Sequence, residues 1–130
     1  GEIPPPPPPP PRYLCLRPLF AINFPPHLHL HTEKLYFGNV GFSGSIPAEL
    51  GILSNLRQLD LHGNRLSEKI PSELGLLSNL RRLWLRTNYL TGSMPEEICQ
   101  LRPPNGKLGY LQADCVEEVQ CSSECCTNCW

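Results

Sequence analysis

Leu59-Asp60-Leu61-His62-Gly63-Asn64-Arg65-Leu66-Ser67-Glu68-Lys69-Ile70-Pro71 decides how this chain is read, because the same pattern stands on either side of it. Residues 35–47 match it 24 positions earlier, from Leu35 to Ile46-Pro47. Residues 83–95 match it 24 positions later, from Leu83 to Met94-Pro95. The spacers agree as well: Glu49-Leu50-Gly51-Ile52-Leu53-Ser54-Asn55-Leu56 against Glu73-Leu74-Gly75-Leu76-Leu77-Ser78-Asn79-Leu80. A unit of this size, repeated at a fixed offset, cannot cover its own leucines and must stack against its neighbours. Heptad packing fails on the period and on the prolines inside it.

Within one unit the chemistry changes along the chain. Leu56, Leu59 and Leu61 follow L-x-x-L-x-L. Leu59 and Leu61 lie two apart and share a strand face, which leaves Arg57, Gln58, Asp60 and His62 for solvent. Leu66 and Ile70 follow, then Pro71, which suits a short extended element or the first turn of a helix. Leu74, Leu77 and Leu80 then point one way on a short helical return. Two positions depart from the pattern. Val40 stands where Asn64 and Asn88 stand in the later coils, implying an edge-like or distorted first coil. Glu68-Lys69 replaces the Gly-x of the other coils, implying a different local turn.

A period in the range of 20–29 residues with this leucine spacing marks a leucine-rich repeat. The Ser/Thr-Gly-x-Ile/Met-Pro pattern resembles plant-type leucine-rich-repeat proteins, including receptor-like proteins and the ectodomains of receptor-like kinases. The resemblance covers about residues 33 to 102. It implies an α/β repeat solenoid, a right-handed coil with a parallel β-sheet on its concave face. About three full 24-residue repeats and a partial fourth are expected. It also implies that Asn64 and Asn88 form a ladder of amides serving backbone groups the bend would otherwise bury unpaired. The closing segment, with Cys99, Leu101, Leu108, Leu111 and Cys115, is similar to the C-terminal caps of algal leucine-rich-repeat proteins. The family's N-terminal cap of paired cysteines is not seen, which implies either a truncated chain, a fragment, or a gene model whose beginning is wrong. Three parts are therefore expected: a Pro-rich, disordered segment over 1–32, repeats over 33–104, and a Cys-rich cap over 105–130.

Composition narrows the function. Net charge is −1 and the isoelectric point about 6.5, which argues against a general nucleic-acid binder. No stretch is apolar enough for a membrane span; the longest uncharged run, 18–32, contains prolines and histidines. The eight prolines of residues 4–11 form a polyproline II rod, read as a stiff linker or as a ligand for aromatic grooves. His27, His29 and His31 alternate but have no fixed partner, so no metal and no cofactor are expected. There is no phosphate loop, nucleophile elbow, zinc-protease motif or kinase motif, so no enzyme is expected.

Five of the seven cysteines lie in the last sixteen residues. Cys99, Cys115, Cys121, Cys125, Cys126 and Cys129 are disulfide candidates, with connectivity open among fifteen pairings; Cys15 is left over. Disulfides imply an oxidising compartment, extracellular or at the cell surface. Zinc and free thiols are the competing readings, and Cys126 with Cys129 lacks a second matching pair.

Stacked strands would align outward residues in columns: Tyr36, Asp60, Trp84, Gln112; Gly38, His62, Arg86, Asp114; and Lys34, Gln58, Arg82, Tyr110. An outward Trp beside Arg residues has the composition of a binding hot spot. The expected partner site is Tyr36, Asp60, His62, Arg82, Trp84 and Arg86, taking a protein or peptide ligand in a receptor-like or adhesion-like role. A place within a larger membrane-anchored receptor is compatible with that role. The competing readings are a solvated sheet face and a structural, wall-associated protein built on the Pro-rich extension.

Overall fold

The structure is a computed structural model. It describes residues 3–5, 31–114, 119–122 and 124–127, and the backbone of 14–15 and 128–129. The order is β1 (Leu14–Cys15), β2 (Lys34–Tyr36), β3 (Phe42–Ser45), a 3₁₀ helix (Ala48–Ile52), β4 (Gln58–Asp60) and β5 (Arg65–Lys69). A second 3₁₀ helix (Ser72–Leu76), β6 (Arg82–Trp84), β7 (Tyr89–Thr91), α1 (Glu96–Cys99), β8 (Tyr110–Ala113) and β9 (Asn128–Cys129) follow.

The repeat period becomes the register of a parallel sheet, β2-β4-β6-β8-β9. Leu35 pairs with Leu59, Leu59 with Leu83, and Leu83 with Leu111. The last step spans 28 positions, so the four extra residues before Leu111 are absorbed outside the strand. Leu59, Leu61, Leu83, Leu85 and Leu111 are fully buried, as are Leu50, Leu53 and Leu56 and their counterparts Leu74, Leu77 and Leu80. One continuous core therefore runs through the stack. Burying a leucine side chain is worth about 1.5–3 kcal/mol, and here that burial exists only between coils. The architecture is the expected leucine-rich-repeat solenoid.

A second parallel sheet, β1-β3-β5-β7, follows the asparagine bend. The sequence pattern predicts no strand there, only a proline that suits a short extended element or the first turn of a helix. The reason is visible at Glu68, which has φ 68°, beside Gly44 and Gly92 at φ 81° in the neighbouring coils. A left-handed residue in mid-strand breaks the in-out alternation by which strands are found. The pairing there also runs at 22 residues, as in Gly44 with Leu66 and Glu68 with Leu90. The implied local difference at Glu68-Lys69 is thus corrected: a glutamate is held in the conformation that glycine adopts in the coils on either side. Leu14 and Cys15 pair with Phe42 and Ser43, so part of the 1–32 segment runs alongside the coils. The polyproline run beyond residue 5, and His27 and His29, lie outside the described residues.

Pro47, Pro71 and Pro95 occupy the cap position before each return, with ψ of 131°, 134° and 137°. An extended residue that needs no N–H is what a helix start accommodates. Glu49, Glu73 and Glu96 follow in the first turn, on the side the helix dipole favours for negative charge. The returns pack tightly. A Cβ at Gly51 would stand 2.4 Å from Glu73 O, and one at Gly75 would stand 2.5 Å from Glu97 Cβ.

Candidate partner-binding face

The bend after each strand is organised by one amide. Asn64 is buried; its Nδ2 donates to Leu61 O (2.9 Å) and Phe37 O (2.8 Å), and its Oδ1 accepts from Phe42 N (3.0 Å). Asn88 repeats this one coil on, donating to Leu85 O (3.0 Å) and Leu61 O (2.9 Å) and accepting from Leu66 N (3.0 Å). Each amide thus serves its own coil and the preceding one. In the first coil Val40 has no amide to offer, is exposed, and donates its own N–H to Asn64 Oδ1 (3.2 Å). Asn39, Gly63 and Thr87, one residue before the ladder positions, all have positive φ, at 56°, 68° and 60°.

These bends hold the outward residues of the five-stranded sheet in columns. Tyr36, Asp60, Trp84 and Gln112 pair in register, as do Lys34, Gln58, Arg82 and Tyr110. Trp84 packs on Tyr110 with ring centroids 5.8 Å apart and planes tilted by 52°. Two open clefts share this aromatic pair. One, of about 480 Å³, is lined by Asp60, His62, Trp84, Arg86, Tyr110 and Gln112. The other, of about 610 Å³, is lined by Arg81, Arg82, Trp84, Lys107, Gly109 and Tyr110.

Four of the six expected site residues, Asp60, His62, Trp84 and Arg86, thus meet in one cleft, and Arg82 joins Trp84 in the other. Tyr36 lines neither. It lies one coil further towards the N-terminus, exposed, with its hydroxyl donating to Gln58 Oε1. His62 is fixed rather than loose: its Nδ1 pairs with Asp60 Oδ1, its Nε2 lies 3.2 Å from Asn39 Nδ2, and its ring covers Gly38, where a Cβ would come within 2.4 Å. Sequence reading missed Tyr110, Arg81 and Lys107 as site members. Tyr110 was in a column, but its contact with Trp84 depends on how the four-residue insertion is absorbed. Arg81 and Lys107 precede their strands, outside the columns that strand period defines.

The far end carries two disulfides among the described residues. Cys99 of α1 bonds to Cys125 (Cα–Cα 5.2 Å), and Cys121 bonds to Cys126 (Cα–Cα 6.0 Å). Cys115 and the side chain of Cys129 lie outside the described residues. The strand containing Cys129, β9, adds to the edge of β8, pairing Gln112 with Asn128. Among the described residues, no group of three or more His, Cys, Asp or Glu side chains could hold a metal ion, and no helix is long and apolar enough to cross a membrane.

Stacked rungs, an asparagine ladder and a shared aromatic wall on the sheet face define a leucine-rich-repeat solenoid. The family model described as Leucine Rich Repeat matches residues 55–77 and 79–101, so these coils are leucine-rich repeats. The fold is similar to solved ectodomains of plant receptor kinases. One is the ectodomain of the membrane receptor kinase GASSHO1/SCHENGEN3 from Arabidopsis thaliana, in complex with Casparian strip integrity factor 2. It is 38% identical with a TM-score of 0.55, and the match covers 62% of this chain and 9% of that one. Pollen receptor kinase 3 is 27% identical with a TM-score of 0.59, covering 69% and 41%. The Arabidopsis receptor kinase HAESA, in complex with the peptide hormone IDA and the co-receptor SERK1, is 30% identical with a TM-score of 0.50, covering 55% and 12%. The chain thus spans less than half the length of each of these solved chains. A search of curated proteins gives no match.

Proposed function

We propose that this chain is a non-catalytic module that binds a protein or peptide ligand on its five-stranded sheet, as part of a receptor-like protein outside the cell. Residues 33–104 form the repeats and 105–130 the cap. The observation that carries the reading is the Trp84–Tyr110 pair, half-buried on the sheet face and shared by two clefts. Aromatic and arginine side chains together at a sheet centre are the usual composition of interface hot spots. The neighbours support it: GASSHO1/SCHENGEN3 and HAESA are receptor kinases solved with bound partners. The two disulfides support an oxidising compartment. No described feature favours the wall-associated alternative.

A peptide selected against the full chain by display, re-synthesised with a photo-reactive group and cross-linked, tests the reading. Adducts should map to β4, β6, β8 and the residues beside them. Adducts confined to the second sheet or to the helical returns would contradict it.

A further inference from the structure

The margin from which the strands of the five-stranded sheet start is strongly cationic, in a chain that is not. There the backbone forms its own ladder: Arg57 N donates to Glu33 O (2.7 Å), Arg81 N to Arg57 O (2.7 Å) and Gly109 N to Arg81 O (3.0 Å). Successive side chains are thereby held about one strand spacing apart, ~4.8 Å. Lys34, Arg57, Arg81, Arg82 and Lys107 lie along it, five of the eleven Lys and Arg residues of a chain whose net charge is −1. All five are exposed. Lys107 Nζ donates to Asn79 Oδ1 (3.1 Å), and none of the five pairs with a carboxylate among the described residues. The one acidic residue of the ladder, Glu33, is two coils away from the cleft at Arg81. Other carboxylates are spent elsewhere: Glu49, Glu73 and Glu96 at the starts of the returns, and Asp60 on His62.

Like charges stacked one rung apart repel each other in the free protein and return nothing to the fold. Their positions do match a ligand. The cleft between Arg81, Arg82 and Lys107 has the Trp84–Tyr110 pair as its wall. Its floor is bare at Gly109, where a Cβ would find only Arg81 O, at 4.0 Å. A planar apolar wall with a cationic rim fits a planar side chain flanked by negative charge. We infer that this cleft takes an acidic peptide segment, with an aromatic side chain against Trp84 and Tyr110 and Asp or Glu carboxylates on Arg81, Arg82 and Lys107. The guanidinium groups match carboxylates in a bidentate fork, and the lysine adds a point charge. Basic segments are rejected by like-charge contact on the same rim. The inference rests on the peptide-binding reading above and names the chemistry of its ligand.

The test uses the full chain with Trp130→Phe, which leaves Trp84 as the sole indole. Its fluorescence is titrated at low salt with three probes: a peptide pool of Asp, Glu and Tyr, a pool of Lys and Tyr, and oligogalacturonate. The acidic pool should bind at least about tenfold more tightly than either other probe, and should weaken about tenfold on Arg81→Glu with Arg82→Glu and again at physiological ionic strength. Arg81→Gln with Arg82→Gln should fall between, and serves as the reading if the glutamate pair melts early by circular dichroism. Equal binding of the basic pool, tighter binding of oligogalacturonate, indifference to charge reversal, or no response to any probe overturns the inference. A display-selected peptide without acidic bias that still cross-links to β4, β6 and β8 overturns the inference and leaves the binding reading standing. Cross-links elsewhere remove both.

Discussion

Asn64 and Asn88 show how much one amide can do. Each reaches backbone groups in two coils, groups that the bend removes from water. Asn64→Ala takes the amide donor from Phe37 O and the acceptor from Phe42 N, while Leu61 O keeps Asn88 Nδ2; a buried group left unpaired costs about 1–3 kcal/mol. A loss of at least ~2 kcal/mol in urea unfolding is expected. Asn64→Asp should lose nearly as much, because a carboxylate fills the space but donates nothing; recovery of stability in that variant would show that size, not donation, matters. Glu68 makes the opposite case. A left-handed conformation costs an L-residue about 1–2 kcal/mol, part of which glycine gives back as unfolded-chain entropy. Glu68→Gly, at φ 68°, should therefore stabilise by about 0.5–1 kcal/mol in the same assay. Destabilisation would mean that the glutamate side chain makes a contribution its backbone conceals.

At the scale of elements, the three-residue strands carry little alone; their stability is the leucines that neighbouring rungs cover. Leu83→Ala opens a cavity in the middle of the stack and should cost about 2–5 kcal/mol. Gly75→Ala puts a methyl against Glu97, where a Cβ would stand 2.5 Å from Glu97 Cβ, and should cost about 1–3 kcal/mol by forcing the returns apart. Melting temperatures of the two variants check both. The strands, the returns and the pairing of Leu59 with Leu83 were legible because leucine spacing is a direct image of burial. The second sheet was not, because Glu68, Gly44 and Gly92 interrupt its alternation and only Leu66 and Ile70 point inward. The candidate site was half legible. Columns follow from strand period, so Asp60 and Trp84 could be placed. The packing of Tyr110 on Trp84 required knowing that the insertion before Leu111 falls outside the strand. Arg81 and Lys107 sit just before strands, where period-two reasoning says nothing.

A solenoid has two ends, and its whole-molecule stability depends on how they are closed. Here α1 and β9 are part of one closure: Cys99–Cys125 ties the last return to the segment that leads into β9, which pairs with β8. Cys99 and Cys125 are 26 residues apart in sequence, Cys121 and Cys126 only 5. On loop-closure entropy alone, removing the first bond costs ~3.5 kcal/mol and removing the second ~2 kcal/mol. Cys99→Ser with Cys125→Ser should therefore lower the urea midpoint more than Cys121→Ser with Cys126→Ser, and the reverse order would place the stabilisation elsewhere in the cap. On the proposed reading the sheet face is the surface for function, and Trp84, on the middle strand of five, stands at its centre. The direct measurement is the affinity of a display-selected peptide for Trp84→Ala with Arg86→Ala against the unmodified chain, both shown to be folded. A hot spot predicts a loss of about thirtyfold or more; an affinity unchanged within error would contradict a partner site on this face.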